Sequence, residues 1–116
     1  LFSHLEITLI KGNHDRIHKD FYSEHCINIL DHLLEIPPFT FIHEPIVQEN
    51  KFCISGHIHP GVVIGTARER IKLPCFSYNK DQLVLPAFSE FTGLDTKTLK
   101  KNFKTIAFTK ELIFEV

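Results

Sequence analysis

The chain has 116 residues, of which 43% are hydrophobic and eleven are Phe, so it is long enough to bury a core as one domain. Its formal net charge of -1 gives no overall attraction to phosphate polymers. Cys26, Cys53 and Cys75 lack the close spacing of a disulfide framework, and we expect them to be reduced, buried packing groups. The absence of a long apolar span or a signal-peptide pattern favours a soluble, cytoplasmic protein.

The amino-terminal part predicts a strand and a short helix. The apolar run Ile7–Ile10 is typical of a buried strand, and Gly12 allows the chain to turn sharply at its end. Asp20 is expected to cap a short helix. Residues 27–36 are ambiguous, because the spacing of their apolar side chains also fits a helical face. Pro37-Pro38 ends this segment in either case.

The rest of the chain predicts strands joined by turns. The expected strands cover residues 39–43, 51–55, 62–64, 71–78, 82–88, 106–108 and 112–114. Asn79-Lys80-Asp81 and Thr109-Lys110-Glu111 are expected hairpin turns. Phe91-Thr92-Gly93 is expected near the end of a core strand, with a structural role. A single structural unit over residues 1–116 is the simplest account.

Two short polar motifs follow predicted strands. Gly12-Asn13-His14-Asp15 comes directly after the first strand, and Gly56-His57-Ile58-His59 follows the apolar residues 52–54. The carboxyl edge of a sheet is where open α/β folds place their chemistry. In extended backbone, His57 and His59 would face the same way. Imidazole and amide groups converging at strand ends indicate a transition-metal site.

Each motif alone has a plainer interpretation. An Asn-His pair is usually part of a turn, and a single His-x-His is more often surface or core packing than ligation. The occurrence of both motifs at strand ends in one chain favours chemistry over packing.

Together with an isolated His43 in residues 41–45, these motifs resemble the later motifs of the calcineurin-like metallophosphoesterases. Residues 56–61, 73–76, 85–88 and 91–93 further resemble a bacterial branch associated with DNA ligase and helicase genes, whose members are named as DNA-damage-response nucleases. The family's first two motifs, Asp-x-His and Gly-Asp, are absent from residues 1–11. We therefore expect the carboxyl-terminal part of a longer protein, with the upstream half of the domain as its partner.

The resemblance implies an α/β fold, namely the carboxyl-terminal half of a metallophosphoesterase-type β-sandwich flanked by helices and strand-rich in this part. It also favours extended structure over residues 27–36. The implied function is a metal-dependent phosphodiesterase or nuclease, acting on a phosphate ester such as nucleic acid and incomplete in this part alone. Two divalent ions would activate a water for in-line attack on phosphate. The alternatives are a non-catalytic protein-binding scaffold of the same fold and a simple metal-binding module.

The resemblance also implies a role for each motif residue. Asn13, His43 and His57 correspond to ligands of one ion, and His59 to a ligand of the other. His14 would contact phosphate and protonate the leaving oxygen, while Asp15 would orient His14. Mixed nitrogen and oxygen ligands suit manganese, iron, zinc or nickel.

The remaining polar residues have weaker functional signals. We expect surface positions for four histidines: His4, His18, His25 and His32. Several cationic residues could contact substrate or be solvated: Arg16, Arg68, Arg70, and a basic run of Lys97, Lys100, Lys101 and Lys104.

Overall fold

A computed structural model describes residues 4–99 and 101–116, so Lys100 of the basic run lies outside the described residues. The described residues form ten strands and one helix. In chain order these are β1 (Ile7–Ile10), α1 (Lys19–Glu24), β2 (Ile27–Leu30), β3 (Leu33–Ile36), β4 (Phe39–Ile42), β5 (Phe52–Ser55), β6 (Gly61–Gly65), β7 (Arg70–Tyr78), β8 (Gln82–Val84), β9 (Lys104–Phe108) and β10 (Ile113–Glu115).

The strands form two separate sheets. β1 and β2 make a parallel two-stranded sheet, with α1 as the connection between them. The other strands form an eight-stranded mixed sheet in the order β10-β9-β7-β8-β5-β4-β3, with β6 paired to β7. Within it, β5 is parallel to both β4 and β8, so the carboxyl ends of these three strands lie at one edge.

The expected α/β class with flanking helices is wrong. The described residues contain a single helix of six residues, and nearly all the regular structure is strand. Residues 27–36, which were ambiguous by apolar spacing, form β2 and β3, the extended structure that the resemblance favours. β2 pairs with β1 and β3 pairs with β4, which satisfies their backbone groups. Their Ile residues also suit a pleated surface.

The helix cap differs from the expectation. His18, not Asp20, occupies the N-cap position, and its Nδ1 accepts a hydrogen bond from the Asp20 N–H at 3.3 Å. Asp20 lies in the first turn, where a carboxylate interacts favourably with the positive end of the helix dipole. Among the described residues, no helix has the length and apolar character needed to cross a lipid bilayer.

Both hairpins are confirmed, since β7 pairs with β8 and β9 with β10 in antiparallel register. Four fully buried core residues lie on the central strands of the large sheet: Cys53, Cys75, Val84 and Ala107. Cys26 is exposed, against expectation. β8 ends at Val84, and Phe91 is 98% exposed outside any strand, so the expected place of residues 91–93 near the end of a core strand is wrong.

Candidate metal centre

The loop after β1 is a tight turn held by Asp15. The Asp15 carboxylate accepts a hydrogen bond from the Gly12 N–H at 2.7 Å, and the Asp15 N–H donates to the Gly12 carbonyl at 3.2 Å. These bonds fix the turn in which Asn13 and His14 stand exposed. The Asp15 carboxylate thus hydrogen-bonds to the backbone of Gly12. The expected orientation of His14 by Asp15 stays a prediction.

Three donor atoms from three strands meet at His43. Its Nε2 lies 3.0 Å from Asn13 Oδ1 and 3.0 Å from His57 Nδ1. The rings of His43 and His57 are edge to face, with centroids 4.8 Å apart. Asn13 follows β1, while His43 and His57 follow the parallel pair β4 and β5. The structure therefore brings together three of the predicted ligands, which we call the donor trio.

The spacing of the donor trio fits a divalent ion. Bonds of about 2.1 Å place adjacent donors of an octahedral ion about 3 Å apart. One amide oxygen and two imidazole nitrogens also match the ligand preference of transition metals. No group of three or more His, Cys, Asp and Glu side chains converges anywhere in the described part of the chain. The donor trio consists of two His and one Asn, so it is not a group of that kind. All three of its donor groups are neutral.

Gly12 makes room for the ring of His43. A Cβ at position 12 would lie 2.5 Å from His43 Cε1 and 2.8 Å from its Nε2, distances that side-chain atoms do not tolerate. Gly12 does not have a positive φ, so the turn itself does not require glycine. A Cβ at Gly56 would meet nothing within 4 Å. The glycines that begin the two motifs therefore differ in their structural role, because only Gly12 leaves space for another side chain.

His57 and His59 are not in extended backbone, contrary to the expectation. Their φ values are 67° and 55°, in the left-handed region that costs energy for residues other than Gly. The His59 carbonyl accepts a hydrogen bond from Asp95 N–H at 3.0 Å, and Gly61 N–H donates to the Asp95 carbonyl at 2.9 Å. Asp95 thus holds the backbone on both sides of Pro60.

The ring of His59 makes no hydrogen bond to the donor trio. It is half-buried and makes no hydrogen bond within residues 4–99 and 101–116. Its role as a ligand of a second ion stays a prediction.

The electrostatic environment of His43 favours its neutral form. Burial lowers the pKa of His43, and the neighbouring His57 lowers it further, while the Glu44 and Asp15 carboxylates act in the opposite direction. A neutral imidazole is the form that binds a metal ion.

Glu44 is a candidate that the sequence motifs did not single out. Its Oε1 lies 3.8 Å from His57 Nε2, on the opposite side of the ring from the donor trio. Ligating histidines commonly direct their other ring nitrogen to a carboxylate, which fixes the tautomer and the ring orientation. The available signal was the position of Glu44 directly after His43 in the chain.

His14 is connected to the trio through Asn13. The Asn13 Nδ2 lies 3.3 Å from His14 Nε2, while its Oδ1 faces His43. The amide of Asn13 therefore bridges the two rings, and the exposed His14 lies beside the trio rather than within it.

An open cleft of about 530 Å³ adjoins the trio. Asn13 and His43 line it together with Lys11 and His32, neither of which was predicted to belong to a site. His18 caps the helix and His25 stacks on Phe21, so these two have structural partners.

No protein-family model matches the chain. No curated protein matches it in sequence either. The chain is similar to a solved structure described as Pseudomonas putida nuclease MPE, with 32% sequence identity and a TM-score of 0.79. The match covers 97% of this chain and 54% of the nuclease chain. The chain therefore shares the fold of about half of a nuclease.

Proposed function

We propose that this chain forms part of a metal-dependent nuclease that hydrolyses phosphodiesters, with Asn13, His43 and His57 as ligands of one divalent ion. The observation that carries the proposal is the pair of 3.0 Å contacts at His43 Nε2. The similarity to a solved nuclease supports the same reaction class. Because the chain spans 54% of that nuclease, the complete reaction is proposed for a protein that also contains the remaining portion.

A divalent ion, when bound, supplies Lewis-acid polarisation of phosphate and acidification of water. The chain's own residues supply orientation and a proton. Asn13 and the two imidazoles hold their donor atoms neutral and at fixed spacing. His14, exposed beside Asn13, gives a proton to the leaving oxygen. Asp15 keeps the turn in place through Gly12. His59 is proposed as a ligand of a second ion.

A non-catalytic scaffold of the same fold is the second candidate. In a scaffold the 3.0 Å contacts would serve only as hydrogen bonds, whereas the similarity to a solved nuclease favours the first candidate.

The test has two parts. The first is titration of the 116-residue chain with Mn²⁺, Zn²⁺ and Ni²⁺ by isothermal calorimetry, with His57→Ala as the variant. The second is a chimera in which this chain replaces the matching portion of the P. putida nuclease, assayed on a radiolabelled oligodeoxynucleotide.

We expect the chain to bind a metal ion that His57→Ala fails to bind, and the chimera to show metal-dependent cleavage that the same substitution abolishes. Metal binding unaffected by His57→Ala would refute the donor trio, whether or not the chimera folds. A folded chimera that binds metal but cleaves no phosphodiester would favour the scaffold.

A further inference from the structure

Two phenylalanines stand fully in solvent on one loop. Phe88 is 107% exposed and Phe91 is 98% exposed, the two largest values among the exposed hydrophobic residues. Each leaves an entire aromatic face in water, which is unfavourable unless a ligand covers it. Exposed aromatic side chains of this kind are what nucleic-acid-binding surfaces offer to bases.

The same loop forms one wall of a groove of about 510 Å³. Phe88 and the residues flanking Phe91 line it on one side, and Leu73, Pro74 and Phe108 line it on the other. Lys72 and Lys110 also line the groove. Lys110 lies 4.0 Å from Glu90, whereas Lys72 has no ion pair within the described ranges. The groove therefore combines aromatic faces with cationic side chains.

Both walls of the groove begin beside the proposed site. The loop leaves β8 at Leu85, whose N–H donates to the Ser55 carbonyl at 2.7 Å, directly before Gly56 and His57. The opposite wall reaches the other end of the motif, because Pro74 pairs with Gly61. Leu94, also a lining residue, lies so close to Gly61 that a Cβ there would be 2.7 Å from Leu94 Cβ.

From this arrangement we infer that the groove binds an unpaired polynucleotide strand that continues from the proposed site. The inference rests on the proposed nuclease function. A base in the groove stacks on Phe88, and Lys72 contacts the phosphates. Phe91 does not line the groove, but it is exposed on the same loop and stacks on a base beside it. Only an unpaired strand can do this, because the bases of a duplex are already stacked on one another and do not present their faces.

Charge and shape favour a strand over an apolar protein partner. A protein-binding patch of this kind would gain from apolar contact alone, and Lys72 would add little to it. A polynucleotide uses both features, because its backbone needs cations and its bases need π-faces.

The experiment measures binding without catalysis. Fluorescence anisotropy of a labelled thymidine 12-mer is recorded with the 116-residue chain in EDTA. Phe88→Ala should weaken binding by roughly 5- to 150-fold, the range expected from losing one base–aromatic stack. Phe88→Tyr should restore the affinity and Phe88→Leu should not, because Leu has the apolar surface without the π-face. Phe39→Ala is the matched control, since Phe39 begins β4 at the sheet edge opposite His43.

The outcomes separate this inference from the proposed function. If Phe88→Ala leaves binding unchanged, or if Phe39→Ala weakens it equally, the groove is not where the strand binds. Equal affinities of the Leu and Tyr variants would also overturn the inference, because apolar docking would then explain the patch. Hydrolysis of bis-p-nitrophenyl phosphate by the chimera, too small a diester to reach the groove, should be unchanged by Phe88→Ala. If the chimera does not hydrolyse the small diester while strand binding still depends on Phe88, the proposed nuclease function is rejected. The proposed binding of a strand in the groove is then supported.

Discussion

The ring of His43 lies in the space that a side chain at position 12 would fill, because a Cβ on Gly12 would be 2.5 Å from His43 Cε1. A glycine on one strand end is therefore a condition for placing an imidazole from another.

Gly12→Ala should displace the His43 ring and weaken metal binding by about 10-fold or more, as expected when the orientation of a ligand is disturbed. Gly56→Ala is the matched control, because its new Cβ meets open space and should leave the affinity unchanged. Calorimetric titration of both variants provides the measurement. Equal affinities of the two variants would show that the ring position does not matter.

Glu44→Gln should lower metal affinity by about 10- to 100-fold, the usual effect of losing a carboxylate that orients a ligating histidine. The contact concerned is the 3.8 Å approach of Glu44 Oε1 to His57 Nε2. Glu35→Gln removes an exposed carboxylate that pairs with Lys51 instead, and it should bind metal normally. If Glu44→Gln binds metal with wild-type affinity, Glu44 does not orient His57 in the site.

His14→Ala should preserve metal content while lowering chimera turnover by roughly 10²–10⁴-fold, the contribution of a positioned general acid. The reason is that His14 contacts the trio only through the Asn13 amide. Metal analysis and single-turnover cleavage separate the two effects. If His14→Ala removed the metal as fully as His57→Ala does, His14 would be a ligand instead.

The 116-residue chain should bind at most one ion firmly and hydrolyse no phosphodiester. The donor trio has no carboxylate, and two close divalent cations repel strongly unless anionic ligands offset their charge. Binding stoichiometry and a metal-only control reaction provide the measurements. A stoichiometry of two ions, with turnover abolished by His14→Ala, would require Asp15 or Glu44 to act as a bridging ligand.

The Asp95 carboxyl should titrate far below its ordinary range. Hydrogen bonds from the Thr98 hydroxyl, the Thr98 N–H and the Lys97 N–H lower its pKa from 3.8 to about 2. A depressed pKa means that the unfolded chain binds the proton first, so this stabilisation is present above pH 3.8 and is lost as the pH falls through about 2. NMR titration should show the low midpoint, and Thr98→Ala should move it upward. A wild-type midpoint near 3.8 would contradict the structure.

Strand positions could be predicted from the sequence because apolar runs, Pro37-Pro38 and the turn residues mark their ends. The fold class could not, because the α/β expectation came from the resemblance, and the described residues contain one short helix in place of the flanking helices it implied. Apolar spacing alone also left residues 27–36 ambiguous, and their pairing with β1 and β4, a long-range property, makes them strands.

The trio could be anticipated because each of its residues follows the carboxyl end of a strand, although β1 lies in a different sheet from β4 and β5. The reasons given for its geometry were less accurate. Gly12 was expected to allow a turn, and it provides space for His43 instead. His57 and His59 were expected to be extended, and they have positive φ. The distance from Glu44 to His57 and the full exposure of Phe88 depend on the folded chain, and the only signal in the sequence was the position of Glu44 next to His43.

The division of the strands into two sheets has a mechanical consequence. β1 and β2 hydrogen-bond only to each other among the described strands, and residues 31–32 continue the chain from β2 into β3 of the large sheet. Asn13 follows a strand of the small sheet, whereas His43 and His57 follow strands of the large one. An ion held by the trio would therefore close a ring of chain between positions 13 and 43. The ion would cross-link the two sheets. Local unfolding of β1 would then require that Asn13 dissociate from the ion. Amide protons of β1 and β2 would then exchange more slowly in the metal-bound protein, while those of the distant β10 would not.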